Sequence, residues 1–139
     1  MPRDLQFSFH PVQRQRFQNG ALAQEWHGRF PDLFDTDDLR LAKTQPDRHF
    51  FEWLAAVLFF ESMGYWSLIE KYETKLHRRK IEHFSKTVPP HVRDFVLSNR
   101  AGLPDLFVFR PNSPDWFFCE IKGGPDRVSP QLDSKNLNH

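Results

Sequence analysis

Asp105, Glu120 and Lys122 are the residues whose types and spacing could do chemistry. Asp105 follows Pro104 and precedes an apolar run, Leu106-Phe107-Val108-Phe109. A second run, Trp116-Phe117-Phe118-Cys119, leads into Glu120-Ile121-Lys122, and a Pro/Asn/Ser/Asp cluster (Pro111 to Asp115) separates the two. Two aromatic-rich runs around such a cluster predict a β-hairpin. Side chains alternate along a strand, so Glu120 and Lys122 share a face. With Arg110 opposite Trp116, Asp105 falls opposite Ile121, diagonal to Glu120 and Lys122. Diagonal neighbours lie about 7–8 Å apart, near enough for two carboxylates to share an ion. Two hard oxygen donors suit Mg²⁺ or Mn²⁺. Such an ion polarises a phosphate oxygen and acidifies its bound water. A lysine two residues on could orient that water or neutralise charge in the transition state. The plainer alternative makes Asp105 a strand start and Glu120/Lys122 an exposed ion-paired edge, which contributes little to stability. The aromatic run before Glu120 alternates too poorly for a solvated edge.

The elements that must position these residues follow from the hydrophobic pattern. Residues 48–63, RHFFEWLAAVLFFESM, form the strongest predicted helix, with Asp47 as N-cap and Gly64 as terminator. It is apolar nearly all round, which implies burial. Glu52 stands almost alone on that surface, and a buried carboxylate needs a partner, such as a metal ion or the lysine. Helix-dipole stabilisation in the first turn is the alternative explanation, and Glu61 is the rival carboxylate. Tyr65 to Tyr72 reads as a strand, with Glu70 and Lys71 facing solvent. Lys75, His77, Arg78, Arg79 and Lys80 form a dense basic cluster. It is read either as a solvated helix face or as a sequence-independent grip on a DNA backbone. Val88-Pro89-Pro90 then breaks the chain, and His91 to Asn99 reads as further helix.

Residues 1–47 are read as a helical N-terminal extension packing onto the core. Phe17, Ala21, Leu22 and Trp26 fit one helix face, interrupted by Asn19-Gly20. The 139 residues make about one domain, and fifteen Phe and four Trp supply a core. A net charge of +1 does not by itself mark a nucleic-acid binder, but residues 71–100 carry eight basic against three acidic groups. A single cysteine, Cys119, excludes an internal disulfide and suits a reducing, cytoplasmic setting. The longest apolar run, Trp53 to Phe60, is too short to span a bilayer, so no membrane association is expected. The histidines lack metal-ligand spacing, and no Gly-rich phosphate loop or small-molecule cofactor motif is present.

The sequence GLPDLFVF followed by FFCEIKGGPDRVS resembles the PD-(D/E)xK nuclease superfamily, and within it the VRR-NUC branch, over roughly residues 48–131. That branch includes stand-alone nucleases and the catalytic domain of the Fanconi-associated nuclease. The resemblance implies an α/β (α+β) fold with a restriction-endonuclease-like α-β-β-β-α-β core and metal-dependent DNA cleavage leaving a 5′-phosphate. It implies Asp105, Glu120 and the Ile121 carbonyl as Mg²⁺ or Mn²⁺ ligands, Lys122 as the water-positioning base, and Glu52 as the helix carboxylate. Arg127, within the Lys-Gly-x-x-Asp-Arg-x-Ser run, joins the expected DNA contacts. Branched or flap DNA and a homodimer are the implied partners and state. The family's Gln lies ten residues past the lysine, where this chain has Leu132, with Gln131 one residue early. After Ser129 the chain is polar and turn-rich, so the last helix and strand are expected to be missing, with residues 132–139 a polar tail and a sheet edge left open. The alternative reading is a catalytically incomplete DNA-binding or interaction module.

Overall fold

The computed structural model describes residues 6–74, 76–99 and 102–132. It is a mixed α+β fold, in which a five-stranded antiparallel sheet carries helices on both faces. Strand β1 (Phe7–Ser8) is followed by α1 (Pro11–Gln18), α2 (Ala21–Arg29), α3 (Thr36–Thr44) and α4 (Phe50–Met63). Then come β2 (Trp66–Ile69), α5 (Arg78–Thr87), α6 (Pro90–Ser98), β3 (Leu106–Phe109), β4 (Trp116–Gly123) and β5 (Arg127–Leu132). The spatial order is β1-β5-β4-β3-β2.

The N-terminal helices start and stop where local chemistry dictates. His10 caps α1 by accepting from the Val12 N–H, and Pro11 supplies a helix-ready φ. The expected helical face of Phe17, Ala21, Leu22 and Trp26 is divided between two helices. Gly20, at φ 88, turns the chain between them, and Asn19 Oδ1 accepts from the Ala21 N–H. Asp35 and Asp38 cap α3 reciprocally, each carboxylate accepting the other's N–H. Helix α4 ends at Gly64 in the left-handed region, as its sequence predicts. Its N-cap is His49 rather than Asp47, whose carboxylate instead accepts from Gln18 Nε2 at 3.1 Å.

Two apolar layers enclose the sheet. On one face α4 and the N-terminal helices bury Phe17, Trp26, Phe50 and Trp53 against Leu106, Val108, Cys119 and Val128. The Phe34 ring stacks on Trp53 with centroids 3.7 Å apart. On the other face, Tyr72, Phe84, Val92 and Val96 cover Leu68, Phe107, Phe109 and Phe118. Covering both faces makes all four β3 residues buried, so the strand reads as continuous apolar sequence without alternation.

Three features differ from the sequence expectation. The hairpin register is one residue off: Phe109, not Arg110, faces Trp116. Arg110 turns outward to bind Asp115 and the Met63 carbonyl at the end of α4. A strand, β5, follows β4 directly and takes in Leu132, where the resemblance has a helix and this chain was expected to have neither helix nor strand. It pairs from Cys119↔Leu132 to Gly123↔Val128, and Gln131 lies opposite Glu120. The strand bearing Glu120 is therefore interior to the sheet. Segment 1–47 contributes β1, which pairs with β5 through Phe7↔Val128, besides its helices.

Candidate metal centre

Strands β2 and β3 end together, and their ends carry the acidic residues. The Glu70 N–H donates to the Asp105 carbonyl at 3.0 Å, extending the β2–β3 ladder by one step. The buried Tyr72 hydroxyl donates to the Pro104 carbonyl at 2.9 Å, fixing the peptide before Asp105. Beyond Leu106, β4 runs on without its neighbour, and its Ile121 N–H would lack a β3 carbonyl. Asp105 Oδ2 takes that place, accepting from Ile121 at 2.8 Å. The Pro-Asp pair is thus a strand start whose side chain completes the sheet's hydrogen bonding.

Helix α4 crosses this end of the sheet with Glu52 in its first turn. Its approach is set by Gly123, whose Cα lies against the Phe51 ring so closely that a Cβ would overlap it. Glu52, Glu70 and Asp105 each place a carboxylate oxygen within 4.8 Å of the others. Glu52 Oε2 is buried and accepts no hydrogen bond among the described residues. Burial pushes the Glu52 carboxyl up to about 7. The nearby Asp105 and Glu70 charges add to this, against the pull of its own backbone N–H. Three hard oxygen donors at this spacing, on carboxylates of which one has an orphaned oxygen, fit a divalent cation of the Mg²⁺ or Mn²⁺ class.

Asp105 and Glu52 therefore meet, as the sequence suggests, but Glu70 joins them instead of facing solvent. The signal for Glu70 was its place just past one apolar run, as Asp105 stands just before another, because antiparallel pairing sets such residues side by side. Glu120 stands outside this close group. Phe117, Cys119 and Ile121 point to the α4 face, and alternation turns Glu120 and the exposed Lys122 toward the face of Phe118. Glu61, the rival carboxylate, lies at the far end of α4, 3.9 Å from Arg29.

Three residues of the basic cluster are committed within the protein. Lys80 is buried, with its ammonium on Asp38 Oδ1 at 2.6 Å. Arg79 is committed to Asp35 and to the Asp32 and Leu33 carbonyls. The His77 ring is 11% exposed, its Nδ1 3.4 Å from Asp37 but outside hydrogen-bonding geometry. The amphipathic α5 causes this, because its inner face must bury against β2 and α3. Arg78 and Arg127 remain exposed, beside Glu82 and Asp126 respectively, and Lys75 lies outside the described residues. Among the described residues no helix is long and apolar enough to cross a membrane. No family model, curated protein or solved structure matches the chain.

Proposed function

We propose that this protein is a metal-dependent DNA nuclease. One observation carries the reading: Glu52, with one buried, orphaned carboxylate oxygen, meets Glu70 and Asp105 beside the strand that bears Glu120 and Lys122. Glu52, Glu70 and Asp105 would hold the ion; the PD-(D/E)xK resemblance assigns Glu120 and the Ile121 carbonyl of β4 as further donors, with Glu120 standing outside the close group of three. The Ile121 N–H points at Asp105, and a strand residue directs its carbonyl to the same side as its N–H. When bound, Mg²⁺ or Mn²⁺ would polarise the scissile phosphate and acidify its water.

The chain's own groups do the rest. Asp105 is held in one orientation by the Ile121 N–H, so less rotamer freedom would be lost on binding. Lys122, exposed on the face it shares with Glu120, orients the attacking water and offsets charge on the phosphate. The succession α4, β2, β3, β4, with its three strands adjacent and antiparallel, supports a restriction-endonuclease-like core. In this chain α5 and α6 enter between β2 and β3, and β5 stands where the family core has a helix and strand.

The test uses labelled duplex, flap and four-way-junction DNA, with Mn²⁺ or with chelator. Cleavage that requires the metal and disappears in both Asp105→Ala and Lys122→Ala is the expected result. DNA binding without cutting under every metal condition would instead identify a non-catalytic binding module.

A further inference from the structure

Beside the acidic group, Lys80 is only 2% exposed. Its three N–H bonds meet three acceptors: Asp38 Oδ1 at 2.6 Å, the Ile69 carbonyl, and the Glu70 carbonyl at 3.3 Å. A buried ammonium persists only when paired and fully hydrogen-bonded, so it needs all three acceptors. That need does not fix where the two carbonyls come from, and here they are consecutive ones at the exit of β2. Those carbonyls belong to the turn that carries Glu70. Glu70 and Lys71 have φ of 43° and 51°, the left-handed region that residues with side chains avoid, and neither is glycine. Two such residues in succession hold only where their surroundings over-determine them. Here the Glu70 N–H is tied to Asp105 and its carbonyl to Lys80.

We infer that Lys80, backed by Asp38, is a positioning residue for the acidic group. It grips the Glu70 peptide in its strained conformation, so that the Glu70 carboxylate faces Glu52 and Asp105. Helices α3 and α5 thereby control a site that neither of them lines. The inference rests on the metal-binding reading above.

The experiment is a Mn²⁺ titration of the full chain by electron paramagnetic resonance, with thermal melts of the same samples. Asp38→Leu/Lys80→Met removes the pair together, leaving no lone buried charge. A cooperative melt with Mn²⁺ affinity reduced about 10–100-fold is expected, the range for lost groups that orient ligands. Adding Lys71→Gly, which accepts positive φ freely, should recover part of that affinity. A role of Lys80 in packing alone would show no such recovery. Unchanged affinity in the folded double variant overturns the positioning role. A wild type with no Mn²⁺ affinity, or one insensitive to Glu52→Gln, overturns the metal centre and this inference with it, so the two failures are distinguishable. Should the double variant lack a cooperative melt, Lys80→Gln, which retains two donors, decides by the same comparison of affinities.

Discussion

The Ile121 N–H donates to the Asp105 carboxylate at 2.8 Å, so one side chain both finishes the β3–β4 ladder and opens the acidic site. The two roles separate by substitution. Asp105→Asn retains an oxygen acceptor for Ile121 and removes the charge. It should melt within a few degrees of the wild type while metal-dependent cleavage falls by at least about 100-fold. Asp105→Ala should lose cleavage equally and also about 1 kcal/mol of stability, the usual worth of one hydrogen bond. Paired cleavage assays and urea melts check both. Full activity in Asp105→Asn would remove this carboxylate from the chemistry.

Glu52 makes metal-free stability depend on pH. Its folded-state pKa is pushed up to about 7 from 4.5, so between those values the folded protein holds a proton that the unfolded chain has released. The contribution is complete below the lower value, on the order of 3 kcal/mol, and is lost as pH rises toward the upper one. Urea melts in chelator at about pH 5 and about pH 7.5 should show this fall in the wild type and a much flatter response in Glu52→Gln. Identical pH responses in the two proteins would contradict the assignment. Because the cation competes with that proton, Mn²⁺ binding should weaken as pH drops below about 7.

Gly123 sets the distance between α4 and β4. Gly123→Ala should destabilise by about 1–3 kcal/mol, because its methyl group needs the space of the Phe51 ring. Phe51→Ala in that background should recover part of the loss. Denaturant unfolding of the four-protein cycle measures the coupling, and strictly additive effects would rule out the contact.

Neighbouring residues of the basic segment should behave in opposite ways. Lys80→Ala takes the closest partner from the buried Asp38, leaving only Arg79 at 3.6 Å, and should cost about 3–5 kcal/mol. Arg78→Ala, at an exposed i,i+4 pair with Glu82, should change stability by no more than about 0.5 kcal/mol. Chemical denaturation of the two variants side by side makes the comparison, and equal losses would contradict the burial of Lys80.

The segments written in local patterns were legible without the fold. Apolar runs broken by Pro111 to Asp115 announced the β3–β4 hairpin, and an apolar stretch stopped by Gly64 announced α4. Asp105 reaching the Glu-Ile-Lys segment followed from hairpin closure alone, although the register slipped by one residue because strand period cannot say which residue begins the turn. Gly20 likewise marked the break between α1 and α2.

What needed the tertiary structure were pairings between distant parts of the chain. Lys80 is an ordinary member of a basic run until Asp38, 42 residues away, and the β2 carbonyls enclose it. Glu70 is a polar residue after a strand until β3 and α4 bring Asp105 and Glu52 to it. The polar stretch Arg127–Leu132 became a strand because β4 on one side and β1 on the other supply its hydrogen bonds. Local sequence sets the period and the ends of an element. Whether a charge on it meets water, another charge or a carbonyl depends on which distant surface covers it, and burial of the two apolar layers decides that.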